Sequence, residues 1–403
     1  MTRDFMKFAA THPRKGKLRI NIASLEGRFE APFNGFICGA EQNPSYSVWG
    51  AHGNPAPEWG HRQPEKKRQI LDVLMPGAST HPLRQKEDER RFYFSGTPYG
   101  DFDQLPVEAD VAEFCNYKLI LNLGWHTANA EDQAKIEKFV ASGGTYFAGL
   151  PEYSCHTGRK FLLNMEDLDL LNGGDLSNFA GIKVLGKGEK YSGKYSGISG
   201  DESSSRTYSF SPDEDGECCL ADVVLCGAEA VVIDKFSGKP LIVKHRFGRG
   251  AVYTLTAWAY PGHEALGGLM AAFCRKLCDE HKGGYFIEDS SREVFWNLRE
   301  TETFRQMTLL NTDWSVAGNV KEVSLHTPDF SIPLEVKEGE IKILYLYNAM
   351  VLETTGDLHL EFTPAGKITA HGEGCPRLVI HRPGEKETKE ISFADSTAVT
   401  LDL

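Results

Sequence analysis

The hydrophobic pattern opens on a strand. In Leu18-Arg-Ile-Asn-Ile-Ala-Ser-Leu apolar positions alternate with polar ones as far as Glu26-Gly27-Arg28, where the chain must turn. The segment from Phe33 to Pro57, rich in Gly, Pro, Asn and aromatics, is too long for an ordinary connection, so it is expected to be functional or held against a partner. Pro64 then precedes Ile70, Leu71 and Leu74 at helical spacing, which predicts a helix stopped by Pro76-Gly77. The scheme repeats with a short strand near Arg91 to Phe94, a Gly/Pro loop from Ser95 to Gly100 and an acidic helix from Pro106 to Asn116. Lys118-Leu-Ile-Leu-Asn-Leu-Gly is the clearest buried strand. Asn129-Ala-Glu-Asp begins a capped helix with Ile136, Phe139 and Val140 on one face, and Gly143-Gly144 ends it. Gly144-Thr-Tyr-Phe-Ala-Gly-Leu is the next strand. Strands alternating with helices of this length predict a mostly parallel sheet with helices on both faces.

Farther along, residues 192–216 are Gly-, Ser- and acid-rich and are expected to form a mobile excursion from the domain. Ala230 to Asp234, Leu241 to His245 and Ala251 to Thr256, separated by glycine turns, read as an antiparallel meander. A helix from Glu264 to His281 closes the domain. After Gly283-Gly284 the pattern changes to short alternating runs at Met307, Glu322, Ile341, Leu358 and Arg377, the signature of a small all-β sandwich. The expected division is an N-terminal extension at 1–16, an α/β domain at 17–282 and a β-sandwich at 283–403.

Composition narrows the functions. A chain of 403 residues with 41% hydrophobic and 25% charged residues can bury a large core. A net charge of −12 works against binding a phosphate backbone, and the basic runs at Arg62 to Arg68 and Lys86 to Arg91 are interrupted by acids, so they read as solvated faces. No nucleic-acid or membrane partner is expected, since no apolar run approaches a membrane span of about 20 residues. The N-terminus lacks a secretory apolar core, and nine scattered cysteines form no disulfide framework, so the expected compartment is the cytoplasm. Cys274 and Cys278 on one helix, and adjacent Cys218 and Cys219, match no metal signature and read as buried thiols. No metal or cofactor site is expected.

Tyr117-Lys-Leu-Ile-Leu-Asn-Leu-Gly-Trp-His-Thr, the helix after it, Gly143-Gly-Thr-Tyr-Phe-Ala-Gly-Leu-Pro and the later run from Lys239 to Tyr253 together resemble the trimerisation domain of family-42 β-galactosidases. That resemblance covers most of Lys17 to Leu403. It implies a flavodoxin-like, class I glutamine-amidotransferase-like doubly wound sheet followed by a small all-β sandwich domain. In amidotransferases of that class, the strand after the Gly-Gly turn ends in a bend bearing a nucleophilic cysteine. Here Pro151 occupies that degenerate nucleophile position, with neither a thiol nor a backbone N–H. Cys155 lies four residues beyond, next to His156, but adjacent residues of an extended chain face opposite ways, so Cys155 reads as inert. His263 and Glu264 could imitate the amidotransferase His and Glu but have nothing to activate, and they read as a helix cap and a dipole partner.

The β-galactosidases also carry a catalytic barrel ahead of this domain, whereas only about sixteen residues precede the first strand here. A barrel-less accessory protein, or the downstream half of a split or truncated hydrolase, is therefore expected. Its partners would be copies of itself, with a trimer the implied number, or a barrel-containing glycoside hydrolase. Trp49, Glu58, Trp59 and His61 on the long loop, with Trp125, His126 and Glu152 after central strands, fall at the carboxyl edge where ligands bind such sheets. They are candidate carbohydrate contacts, or interface aromatics that pack the loop and a subunit. Two alternatives stand beside this reading. One is a hydrolase in its own right using Glu58, His61, His126 and Glu152; the other is a sugar-binding module.

Overall fold

The computed structural model describes residues 15–28, 67–74, 96–124, 126–155, 168–198, 216–313, 317–354, 358–363, 367–393 and 398–401. The long loop from Phe33 to Pro57, the strand near Arg91 to Phe94 and the 199–215 portion of the excursion lie outside the described residues. The chain forms two compact units, one of Asn21–Phe92 and Phe102–His281, the other of Met1–Ile20, Tyr93–Asp101 and Lys282–Leu403.

The alternating run at the start is two strands, not one. β1 (Lys17–Leu18) pairs antiparallel with a strand of the second unit, Leu18 opposite Arg299, whereas β2 (Ile22–Glu26) lies inside the α/β sheet. The break falls at Arg19, whose N–H donates to Leu298 O at 2.8 Å. α1 (Lys67–Leu74) buries Ile70, Leu71 and Leu74, as its spacing predicts. β3 (Phe102–Pro106) is a strand that the sequence reading missed, and the helix expected from Pro106 to Asn116 shrinks to one turn, α2 (Val111–Phe114). The ladder explains both differences. The Val107 N–H still donates to Glu26 O at 2.9 Å, so the chain stays extended past Pro106 and leaves room for only one turn before β4 (Leu119–Asn122).

α3 (Ala130–Ala141) has Asn129 as its N-cap, whose side-chain oxygen accepts from the Asp132 N–H at 2.9 Å. Its other end is a Schellman motif. Gly143, at φ 114°, donates to Val140 O and Gly144 to Phe139 O, and a Cβ on Gly144 would meet the Phe139 ring at 2.2 Å. β5 (Thr145–Gly149) follows. Three more short strands, β6 (Asp175–Leu176), β7 (Ile182–Lys190) and β9 (Cys219–Leu225), make a separate three-stranded sheet, while β8 (Tyr195–Ser196) joins the main one. The meander is β10 (Glu229–Asp234), β11 (Pro240–Phe247) and β12 (Gly250–Leu255), and α4 (Gly267–Glu280) closes the unit.

The main sheet is eight-stranded in the order β3-β2-β4-β5-β12-β11-β10-β8. The first five strands are parallel and the rest antiparallel, because β12 pairs parallel with β5, Ala251 opposite Thr145. Both faces are covered. Tyr146 and Ala148 of β5 enter a core with Phe114, Ile136, Phe139 and Val140, whereas Phe147 between them packs tilted against Phe273 of α4, ring centroids 5.6 Å apart. Period-two alternation therefore yields a wholly apolar strand when helices lie on both sides. No helix among the described residues is long and apolar enough to cross a membrane.

The second unit is built from β strands. β13 (Phe286–Glu288), β16 (Val320–His326) and β17 (Ser331–Lys337) make one three-stranded sheet. β20 (Leu358–Phe362), β21 (Ile368–Gly372) and β24 (Ala398–Leu401) make another. Between them in the chain run β14 (Val294–Glu300), β15 (Arg305–Asn311), β18 (Ile341–Tyr347), β19 (Met350–Thr354), β22 (Arg377–Arg382) and β23 (Glu385–Glu390), which with β1 form a seven-stranded sheet. Leu344 and Leu346 of β18 enter a core with Val323 and Leu325, while Ile343 and Tyr345 enter another with Leu358 and Leu360. The sandwich thus has a central sheet covered on both faces. The Gly/Pro loop that reads as part of the α/β domain belongs to this unit. The Trp296 indole donates to Pro98 O at 3.1 Å, and Gly100, at φ 92°, lies where a Cβ would be 2.9 Å from the Trp296 ring.

Candidate functional site

From β2 the chain proceeds to β3 on one flank and later to β4 on the other, so the connections diverge at the β2/β4 boundary. Open α/β sheets bind ligands outside the carboxyl ends of their strands at such a switch point. At this edge Glu26, Gly27 and Arg28 end and follow β2, Leu123, Gly124 and His126 come after β4, and α3 begins.

Arg28 clamps Asp132 with two parallel bonds, Nε to Oδ2 at 2.8 Å and Nη2 to Oδ1 at 3.0 Å. Asp132 is fully buried and also accepts from Asn129 Nδ2 at 2.7 Å and pairs with Lys135 Nζ at 3.2 Å. Burial pushes the Asp132 carboxyl up, but the bonds from Arg28, Asn129 and Lys135 more than offset this, and it stays ionised below the usual carboxylate range. Lys135 also donates to Val107 O, tying α3 to the chain after β3. Next to this cluster Lys67 Nζ, only 3% exposed, reaches both Glu26 oxygens at 2.9 and 3.0 Å.

His126 is buried, and its Nδ1 accepts from the Arg28 N–H at 3.3 Å, which leaves the proton of the neutral ring on Nε2. Burial lowers its pKa to about 4; Asp132 opposes the shift, and Arg28 and Lys135 add to it. The sign follows directly. The folded value lies below the unfolded value of about 6.5, so His126 leaves stability intact above that pH and costs stability as pH falls from about 6.5 toward 4. We expect about 3 kcal/mol of acid destabilisation over that window from this group. The slope of denaturation midpoint against pH should flatten in His126→Gln, and an unchanged slope would contradict the assignment.

The residues compared above with an amidotransferase site fall farther along the same edge. Leu150 after β5 has ordinary right-handed helical dihedrals, and Pro151–Tyr153 form a buried 3₁₀ turn whose Pro151 O accepts from the Ser154 N–H at 3.1 Å. No left-handed strain is stored at the bend. Glu152 is 2% exposed, and its Oε2 lies 2.8 Å from where a Cβ on Gly149 would stand, so the glycine is what admits the carboxylate. The Cys155 thiol is pushed up by burial and by Asp169, the opposite of an activated nucleophile. His263 caps the 3₁₀ turn Glu264–Leu266 by accepting from the Ala265 N–H at 3.1 Å, and this turn precedes α4 where a continuous helix from Glu264 is expected. Cys274 and Cys278 are buried in α4, and burial raises the Cys274 thiol. Among the described residues no group of three His, Cys, Asp or Glu is arranged to hold a metal ion.

Of the candidate residues, His126, Glu152 and Pro151 are on this edge and buried. Trp49, Glu58, Trp59, His61 and Trp125 lie outside the described residues. Arg28 and Asp132 are the charged pair that the sequence reading left out. Their only local signals are a basic residue just past the first strand and an acid at the third helical position after an Asn cap.

No family model matches the chain, and no curated protein sequence matches it. Among solved structures it is similar to Gan42B, a GH42 β-galactosidase from G. stearothermophilus, at 13% identity and TM-score 0.44, over 82% of this chain and 40% of that one. It is similar to the β-galactosidase from Bacillus circulans sp. alkalophilus at 14% identity and TM-score 0.44, over 82% and 42%. α-L-Fucosidase isoenzyme 2 from Paenibacillus thiaminolyticus matches at 11% identity and TM-score 0.42, over 98% of this chain and 50% of its own. The chain thus spans half or less of the length of each of these three proteins.

Proposed function

We propose that this chain is a non-catalytic, oligomer-forming accessory protein, or the downstream part of a glycoside hydrolase, in carbohydrate metabolism. In it a flavodoxin-like, amidotransferase-type unit serves assembly and presents its carboxyl-edge loops to a sugar or a barrel-bearing partner. The observation that carries this is the bend after β5. Pro151 stands there in a relaxed 3₁₀ turn, without the thiol, the backbone donor or the strain that an acyl-transfer nucleophile uses. The raised Cys155 thiol and the capping role of His263 support the same reading, as does the parallel run with β2 between β3 and β4. The eight described cysteines are free, which supports a cytoplasmic location.

Light scattering at micromolar concentration, pull-down with a barrel-containing glycoside hydrolase, and assays on aryl glycosides and glutamine test it together. The expected result is a defined oligomer or a stable complex, with no turnover by the pure chain. A monomer that captures no such hydrolase would overturn the assembly role. Turnover abolished by Glu58→Gln or Cys155→Ala would replace it with an enzyme at the sheet edge. Thermal stabilisation by a sugar without assembly would indicate a binding module.

A further inference from the structure

The opposite edge of the same sheet holds a cavity of about 480 Å³ whose lining includes Thr145, Glu229, Lys244, Arg246, Arg249 and Gly250. Thr145 and Gly250 are the first residues of β5 and β12, so this is the amino-terminal edge, away from the switch point and from every residue discussed for it. The volume is within the range of small-molecule sites, roughly 300 to 1,000 Å³.

Its chemistry is one-sided. Three cations and a single carboxylate line it, in a chain whose net charge is −12. Lys244 and Arg246 are two apart on β11 and so share a face of that strand. Lys244 sits between Glu229 and Tyr253 in register, with Nζ 5.6 Å from the Tyr253 ring, a contact that steadies the ammonium without neutralising it. Arg249 comes from the β11–β12 turn, and its Nη2 donates to Ser142 O at 2.8 Å, which fixes the guanidinium and leaves its other donors available. Among the described residues neither Lys244 nor Arg246 forms an ion pair. Gly143 and Gly227 also line it, both at positive φ, and a Cβ on Gly143 would meet nothing nearer than 4.0 Å. Thr145 adds a hydroxyl to the lining, and it bonds His281 Nε2 at 2.9 Å.

We propose that this cavity binds a small phosphate- or sulfate-bearing molecule, its anionic group held by Lys244, Arg246 and Arg249. A tetrahedral dianion can accept from all three cations at once, and guanidinium forks suit its geometry. Glu229, opposite Lys244 in the β10–β11 register, opposes the anion and partly offsets the three cations. This site is independent of the glycoside-hydrolase reading.

Calorimetric titration of the full chain with inorganic phosphate, inorganic sulfate and glucose 6-phosphate, at an ionic strength held constant with chloride, tests the proposal. The expected result is saturable single-site binding of at least one of the three. The tightest of them shows whether the natural source is a free ion or a sugar ester. Lys244→Gln and Arg246→Gln should each weaken binding about tenfold, and Glu229→Gln should tighten it several-fold. The last variant keeps the test decisive even where a cation-removing variant folds poorly. Non-saturating heats with all three anions, or equal affinity in the Lys244→Gln/Arg246→Gln double variant, would overturn the site. Binding of a hexaglutamate peptide with none of the small anions would overturn it in favour of an acidic protein partner.

Discussion

Asp132→Ala is expected to cost the α/β unit about 3 to 5 kcal/mol, the range for removing one partner of a buried ion pair. The carboxylate is fully buried and takes bonds from Arg28, Asn129 and Lys135, so its loss leaves two cations and an amide with no anion between them. Arg28 keeps some solvent access and a second, longer pairing with Glu108 at 3.8 Å, which places the loss toward the lower end. Asp132→Asn retains the shape and part of the hydrogen bonding and should cost clearly less. Arg28→Ala should cost nearly as much as Asp132→Ala, and the double variant less than the sum, because the two sides act on one interaction. The readout is denaturant unfolding, with hydrogen exchange at the β4 and β5 amides to locate the effect. A loss below 1 kcal/mol for Asp132→Ala would show that water already solvates the cluster.

That cluster also shows where the sequence was readable. The Asn129 cap, the apolar face of α3 and the Gly143-Gly144 stop all depend on residues within four positions of each other, and each is in place. The Arg28–Asp132 clamp joins residues 104 apart, and nothing local marks it. β3 escaped notice because it is an edge strand in which only Leu105 is buried, so the alternation that betrays a half-buried strand is missing. Its last residue, Pro106, suggested a helix start, although a missing N–H suits the last position of an edge strand equally well. In the β unit, Ile341 to Tyr347 is recognisable as a strand. Its unbroken apolar run from Ile343 to Tyr347, in place of alternation, is the trace of a sheet covered on both faces.

The turn at Pro151 was legible as well, since its place after β5 follows from counting past Gly143-Gly144. Its consequence needed the structure. A proline could have strained the turn or simply stood in a relaxed one, and the ordinary dihedrals of Leu150 show the second. Glu152 and His263 remain buried on that edge, with Glu152 seated against Gly149 and His263 used as a cap.

The second large effect is expected at Glu353 of β19. Its Oε2 accepts from His381 Nε2 at 2.8 Å and its Oε1 pairs with Lys342, whose side chain is 8% exposed. Burial pushes the carboxyl up, yet the His381 bond and the Lys342 charge outweigh it and hold the group below its ordinary value. A depressed carboxylate contributes stability above its unfolded pKa of about 4.3, and that contribution is lost as pH falls through the folded value. Glu353→Ala at neutral pH strands a buried ammonium beside a buried imidazole, and about 3 to 5 kcal/mol should be lost. Replacing all three groups, as Lys342→Met, Glu353→Leu and His381→Leu, should instead leave stability within about 1 kcal/mol of the parent or raise it, because no charge is then left to desolvate. Hydrogen exchange of the β18, β19 and β22 amides reads both results. A triple variant as unstable as Glu353→Ala would mean that packing around β19, and not the trapped charge, sets the cost.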